Sequence, residues 1–261
     1  MFGGKLNHEC EFYVSGLNLS GIESVNISYA QKNNIIKPLG FSKGLSLFNG
    51  EPQKSLSLSR NLLYQDPILK YTGNIPMDGS INYGENSYGF KKGYLTEYMV
   101  NCAVGSVPRV SINAIIIDEL TSSSNSIGYT QHPNIFIPNQ GSISMSCDNS
   151  KTNRVIGFDY SIKCNRKAFY TIGSELAHEV VLIPPLEYSA SVQIEIDDAF
   201  LQDSDNYLSN RENKTVSFSI SGRNNELIQN LILPKASLVS EQINASADGL
   251  LKLTLNYIGH S

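Results

Sequence analysis

Tryptophan is absent from the chain, and cysteine is sparse: Cys10, Cys102, Cys147 and Cys164 are the full complement in 261 residues. No two of them form a CxxC or other tight pair. That excludes the dense disulfide framework of small secreted domains and leaves free buried thiols in a reducing cytoplasm as the expectation. Cationic runs are also lacking, none being longer than Lys91-Lys92, and the formal net charge is −4. A dedicated nucleic-acid binder concentrates Lys and Arg on one face, so the composition argues against sequence-specific binding of DNA or RNA. Charged residues make up 17% of the chain, below the usual ~25%. No apolar run approaches the ~18 residues of a membrane helix. The opening "MFGGKLNHEC" has no charged segment followed by an apolar one, so no signal peptide is expected.

What is present is period-two alternation. "CEFYVSG", "SVNISYAQ", "QKSLSLSRNLL", "SISMS", "YSASVQIEI", "KTVSFSISG" and "LLKLTLNYIG" each set apolar residues against Ser, Asn, Thr or Gln. Successive side chains of a strand point to opposite faces, so these segments read as antiparallel strands with one polar face. Helix signals are thin. "RNLLYQDPILKY" holds a helical turn stopped by Pro67, and Glu226 to Leu231 reads as a second, ended by Pro234. Turns are expected at Asn49-Gly50-Glu51-Pro52, Met77-Asp78-Gly79, Pro138-Asn139-Gln140-Gly141 and Asp248-Gly249. Segment 119–141 opens Ser-rich and closes Pro-rich, and reads as a long connection.

The expected fold is therefore all-β, with minor helical turns and two tandem β-sandwich or barrel-like domains: 1–118, a connecting loop or insert at 119–141, and 142–261. An internal repeat fits this division. "VNISYAQKNNIIKPLGF" from Val25 aligns with "IGFDYSIKCNRKAFYTIGS" from Ile156, placing Tyr29 beside Tyr160 and Leu39-Gly40 beside Ile172-Gly173. Pro52 and Pro185 follow at the same distance, and each half ends in a long alternating strand, 109–117 and 250–258.

Catalytic and metal motifs are missing as local patterns. There is no GxSxG elbow, GxGxxG fingerprint or P-loop. His8, His132, His178 and His260 are scattered, and "AHEVV" at His178 lacks the second histidine of a zinc helix. The acidic stretch 197–213 offers Asp203, Asp205 and Asn206 as calcium contacts. A calcium loop starting at Asp203 would need Gly and Glu where Leu208 and Lys214 stand. Asp197 and Asp198 are adjacent and point to opposite faces of a strand. No catalytic residue, metal site or cofactor is expected. "NYGENSYGFKKGYLTEY" places Tyr83, Tyr88, Phe90, Tyr94 and Tyr98 around Lys91-Lys92. It reads either as a single-strand stacking surface or as a hairpin whose aromatics pack across strands or at a subunit contact.

"GYLTEYMVNCAVGSVPRVSIN", from Gly93 to Asn113, resembles the hairpin of the tail tube (major tail) proteins of tailed bacteriophages, in which a strand reaches a Val-Gly-x-x-Pro turn and the return strand continues the sheet. "FYVSGLNLSGIESVNISY" resembles that family's first strands, and "PKASLVSEQINASADGLLKLTLNYIG" its last. The resemblance implies a virion protein of the tail, assembled in the host cytoplasm from copies of itself in contact with other tail proteins. Rings would stack into a hollow tube that DNA passes without specific binding. A duplicated chain implies trimeric rings, a single-domain chain hexameric ones. The apolar residues Phe41, Leu45, Leu47 and Phe48, with Tyr88, Phe90 and Pro108 of the hairpin region, are the expected assembly contacts. Alternatives are another virion part (distal tail, baseplate hub, connector or capsid decoration), a carbohydrate-binding adhesin module, or a hydrolase whose site is assembled from remote residues.

Overall fold

The alternating segments form strands in the computed structural model, which describes residues 10–36, 39, 46–83, 86–123, 138–148, 150–172, 174, 176–196, 212–222, 224–245 and 251–261. The first half carries β1 (Cys10–Val14), β2 (Leu17–Asn18), β3 (Ile22–Ile36), β4 (Ser46–Asn61), β5 (Met77–Tyr83), β6 (Asn86–Ala103), β7 (Arg109–Ile116) and β8 (Thr121–Ser123). The second half carries β9 (Pro138–Cys147), β10 (Ser150–Thr152), β11 (Val155–Lys163), β12 (Arg166–Phe169), β13 (Glu179–Leu182), β14 (Glu187–Glu195), β15 (Lys214–Gly222), β16 (Leu227–Asn244) and β17 (Lys252–His260). The chain is all-β, with antiparallel pairing throughout the described residues and one 3-10 helix, Pro67–Thr72.

The same strand order is traversed twice. In the first half it runs β3-β4-β7-β6-β5-β1-β2, and in the second β11-β14-β17-β16-β15-β9-β10. Irregularities recur at matching places. The β3–β4 shift between Ile22 and Ser24 matches the β11–β14 shift between Val155 and Gly157. The β6–β7 shift between Leu95 and Glu97 matches the β16–β17 shift between Leu238 and Ser240. Backbone bonds outside the ladders repeat as well: Leu62 N donates to Pro108 O at 2.7 Å and Ile196 N to Leu251 O at 2.9 Å. Likewise Asn61 N donates to Gly21 O at 2.8 Å and Glu195 N to Arg154 O at 3.0 Å. Bulges re-aim a strand and are specific features of a ladder, so their recurrence fixes the register between the halves. It places Val25 opposite Phe158 in role and Ile27 opposite Tyr160, two residues away from the sequence alignment of Tyr29 with Tyr160.

Two layers result. β6 and β16 are long enough to serve both. The C-terminal part of β6 pairs with β7, and its N-terminal part with β5; β16 does the same with β17 and β15. One layer is a wall of eight strands in the order β3-β4-β7-β6-β11-β14-β17-β16, crossing from one half to the other where β6 pairs with β11. The second layer consists of two smaller sheets, β2-β1-β5-β6 and β10-β9-β15-β16. Between the layers lies a single apolar core holding Phe12, Leu58, Ile112, Val192, Phe218 and Leu255. Phe158 of the wall stacks on Phe218 of the second layer with ring centroids 5.0 Å apart, one of the offset arrangements aromatic pairs favour.

Several local expectations change. Pro67 opens the 3-10 helix instead of stopping a turn. Its missing N–H is an orphan there anyway, and Asp66 caps the helix by accepting from Ile68 N. Residues 227–231 are strand, because β16 continues through Pro234. That proline falls in the register shift between Lys214 and Val216, where the ladder needs no donor from it. The expected turns at 49–52, 77–79 and 138–141 lie within β4, β5 and β9; Asp248-Gly249 lies outside the described residues. Segment 119–141 is strand at both ends, in β8 and in β9, and 124–137 lies outside the described residues. Of the cysteines, Cys102, Cys147 and Cys164 are buried free thiols, whereas Cys10 is exposed.

Candidate assembly edges and polar wall face

Alternation gives the wall two unlike faces. One packs on the second layer. On the other, cross-strand rows are largely polar, with Met99 and Ile258 as apolar members: Ser24–Ser59–Ser111–Met99–Ser161–Ser189–Ile258 and Asn26–Ser57–Asn113–Glu97–Lys163–Glu187–His260. Hydroxyl ladders tie neighbouring strands. Ser24 and Ser59 oxygens lie 2.8 Å apart, those of Ser28 and Ser55 2.7 Å, and those of Ser161 and Ser189 2.7 Å. Asn113 donates to Glu97 Oε2 at 3.0 Å, and its counterpart Asn256 donates to Ser240 Oγ at 2.8 Å. Cross-strand polar pairs of this kind add ~0.2–1 kcal/mol each. Charges of both signs share it: Glu97, Asp159 and Glu187 stand with Arg109, Lys163 and Lys252.

The wall ends in two open edges. β3 pairs with β4 on one side, and no described strand lies on its other. Residues 237–244 of β16 pair with β17 on one side, and again no described strand lies on the other. These edges carry exposed apolar residues, Tyr29 at 53% and Ile243 at 62%. An open edge with apolar side chains is a template for pairing with another strand.

The β6–β11 joint is reinforced by the β12–β13 hairpin. Cys164 N donates to Thr96 O at 2.8 Å. Arg166 donates through Nε to Leu95 O and through Nη2 to the carbonyls of Tyr71, Thr72 and Gly73. Its guanidinium stands 5.4 Å from the Tyr94 ring centroid. Burial lowers the Arg166 pKa from its ordinary value, against the opposing pull of Cys164 and Tyr94. One side chain of the second half thus holds strand and loop backbone of the first.

A second polar cluster is sealed inside. Arg60 Nη2 stands 3.0 Å from Asp66 Oδ2, both side chains being 0% exposed. The contact is ionic, since Arg60 Nε and Nη2 lack hydrogen bonds of good geometry. Arg60 Nη1 donates to Ser20 O at 3.2 Å, and its guanidinium carbon lies 4.6 Å from the Tyr64 ring centroid. Tyr98 Oη donates to Asp66 Oδ2 at 3.1 Å, and Asp66 N donates to Gln229 Oε1 at 3.0 Å. Burial opposes the Arg60 charge, but the combined pull of Asp66, Tyr64 and Tyr98 outweighs it and holds the proton more tightly than usual. Burial also raises the Tyr98 phenol well above 10.0. Without access to solvent, this cluster serves to pin the 62–76 loop to β6 and to β16.

The expected contact residues fall in different places. Leu47 and Phe48 lie on β4 opposite Ile35 and Asn34, in the extension of the β3–β4 pair beyond the wall. Phe41 and Leu45 lie outside the described residues. Tyr88 is half-buried, paired with Ile81 and Ser122. Phe90 is 3% exposed and belongs to the chain's own core. It fits between Gly79 and Gly93, where a Cβ would come within 2.7 and 2.6 Å of its ring. Pro108 is buried before β7, with its carbonyl taken by Leu62 N. The aromatic run 83–98 forms no common stacking surface, since Phe90 and Tyr98 turn into the core beside the exposed Lys91 and Lys92. His178 is exposed at the base of the β12–β13 hairpin, its N–H donating to Phe169 O. Asp197, Asp198, Asp203, Asp205, Asn206, His8 and His132 lie outside the described residues. Among the described residues no three His, Cys, Asp or Glu side chains group as metal ligands, and no helix is long and apolar enough to cross a membrane.

The edge residues Val25, Ile27, Tyr29 and Ile243 are not among the contacts expected from the sequence, although the alternation of "SVNISYAQ" sets the first three on one strand face. No protein-family model matches the chain, and no curated protein matches it in sequence.

Proposed function

We propose that this chain is a structural wall protein, a tandem duplication of one β-sandwich-like unit whose copies assemble edge to edge into rings that stack as a tail tube. The observation that carries the reading is the eight-strand wall, continuous across both halves, with no described strand beyond either end. Joining the two edges of successive copies is a heterologous contact, and repetition of such a contact closes a ring when the rotation closes. Closure removes the exposed edges that a lone chain must carry. The polar face then has a use as the lumen, since the opposite face is occupied by the second layer. Hydroxyl and amide groups with few, dispersed cations would let DNA pass, because Lys and Arg contacts to phosphate dominate nonspecific affinity.

Negative-stain electron microscopy over a concentration series tests the reading. Hollow rings of uniform width, or tubes built from them, are the expected result. A single closed ring that never stacks would move the role to a hub or connector, and a monomer at every concentration would overturn assembly by this chain alone.

A further inference from the structure

We infer that the joint between copies is a second edition of the internal β6–β11 joint, with the edge of β16 beyond which no described strand lies pairing antiparallel to β3 of the next copy in a defined register. This rests on the assembly reading above and names its contact.

The internal joint aligns Phe158 with Cys102, Tyr160 with Val100 and Ile162 with Tyr98. The matching bulges transfer each partner. Because the β6–β7 and β16–β17 ladders shift at the same place, Val100 corresponds to Ile243 and Tyr98 to Glu241. Because the β3–β4 and β11–β14 ladders shift at the same place, Tyr160 corresponds to Ile27 and Ile162 to Tyr29. The intermolecular ladder therefore sets Ile27 against Ile243, Asn26 against Asn244, Ser28 against Gln242 and Tyr29 against Glu241.

Burial shows what the two ends lack. At the internal joint Tyr98, Val100, Phe158, Tyr160 and Ile162 are all at most 4% exposed. At the terminal edges Ile27 is half-buried, while Tyr29 and Ile243 are 53% and 62% exposed. The register also keeps faces together. Ile27 and Ile243 continue the core-side row, while Asn26, Asn244, Ser28 and Gln242 continue the polar face. A slip of one residue would turn Ile243 toward that polar face, which the two-residue period penalises.

The occupant is a second copy of this chain, because each edge already has its complement within the same sequence. β3 is the counterpart of β11, which β6 receives, and β16 is the counterpart of β6. No other partner would reproduce both sides of the joint.

Cysteine pairing reads the register directly, in the full chain with Cys10→Ser to remove the exposed thiol. Opposed residues bring their Cβ atoms to about 4.5–5.5 Å, close to disulfide range. Mild oxidation of the Ile27→Cys, Ile243→Cys variant should give covalent dimers and higher multiples. Tyr29→Cys with Ala245→Cys, roughly four residues out of register on the same face, should stay uncrosslinked. An Ile243→Arg variant, changed at a side chain that is 62% exposed in the single chain, should retain the thermal transition of the parent and lose assembly. Rings or tubes without the Ile27–Ile243 crosslink, or with Ile243→Arg assembling like the parent, would overturn this joint and leave the assembly reading standing. Absence of both assembly and crosslinks in the parent background would overturn the two together.

Discussion

At the scale of single residues, the first half is held by polar contacts that its counterpart lacks. Arg60 stands where the second half has Ile194. An apolar residue there meets no desolvation cost, whereas a buried cation needs its carboxylate. Breaking such a pair from one side costs about 3–5 kcal/mol, while replacing both partners is far milder. Asp66→Asn should therefore lower the urea midpoint sharply, and Asp66→Asn combined with Arg60→Ile should recover most of the loss. Denaturation curves of the two variants check this. Buried tyrosines add to the loss of stability at alkaline pH. Burial, with a smaller contribution from Tyr188, pushes the Tyr160 phenol above its ordinary 10.0, and its hydroxyl donates to Ile232 O at 2.8 Å. Above pH 10.0 the unfolded chain releases a proton that the folded one keeps, so stability falls as pH rises beyond that point and is flat below it with respect to this group. Tyr160→Phe should cost ~0.5–1.5 kcal/mol at pH 7 through the lost hydrogen bond and make the alkaline decline shallower. Urea midpoints measured from neutral to alkaline pH check both parts.

At the scale of elements, the β12–β13 hairpin ties the halves together chiefly through Arg166, with Tyr170 Oη also donating to Pro52 O at 3.4 Å. Charged hydrogen bonds to carbonyls are worth roughly 1.5–3 kcal/mol when buried, and Arg166 makes several with partial exposure, so Arg166→Met should destabilise by about 1–3 kcal/mol. Hydrogen exchange should show the loss at Leu95 to Glu97 and in the 62–76 loop before it appears in β15. Strands were legible because alternation is a direct consequence of a half-buried sheet: "KTVSFSISG" and "LLKLTLNYIG" read as β15 and β17. Pairing was not, because a period of two aligns equally well after any shift of two. That is why Tyr29 matched Tyr160 in sequence while the ladders match Ile27 to it. Proline misled in the same local way. Pro234 reads as a terminator, yet a bulge in β16 absorbs it, and a bulge is a property of the partner strand as much as of its own. For the candidate site, the apolar residues chosen as contacts were conspicuous by type. Phe90 turned out to fill the chain's own core, and edge exposure depends on strand order, which no single segment encodes.

At the scale of the whole molecule, one wall, two thin outer sheets and two edges that no described strand covers follow from repeating a strand order twice and letting β6 receive β11. In the assembly we propose, the joint made once inside the chain supplies the geometry for the next one. In the proposed assembly each chain contributes two equivalent wall units to a closed ring. Native mass spectrometry counts chains per ring, and rotational averaging of electron-microscope images counts repeating densities around it. Twice as many densities as chains is the expected result. Equal numbers, or particles that never exceed a single chain, would contradict it.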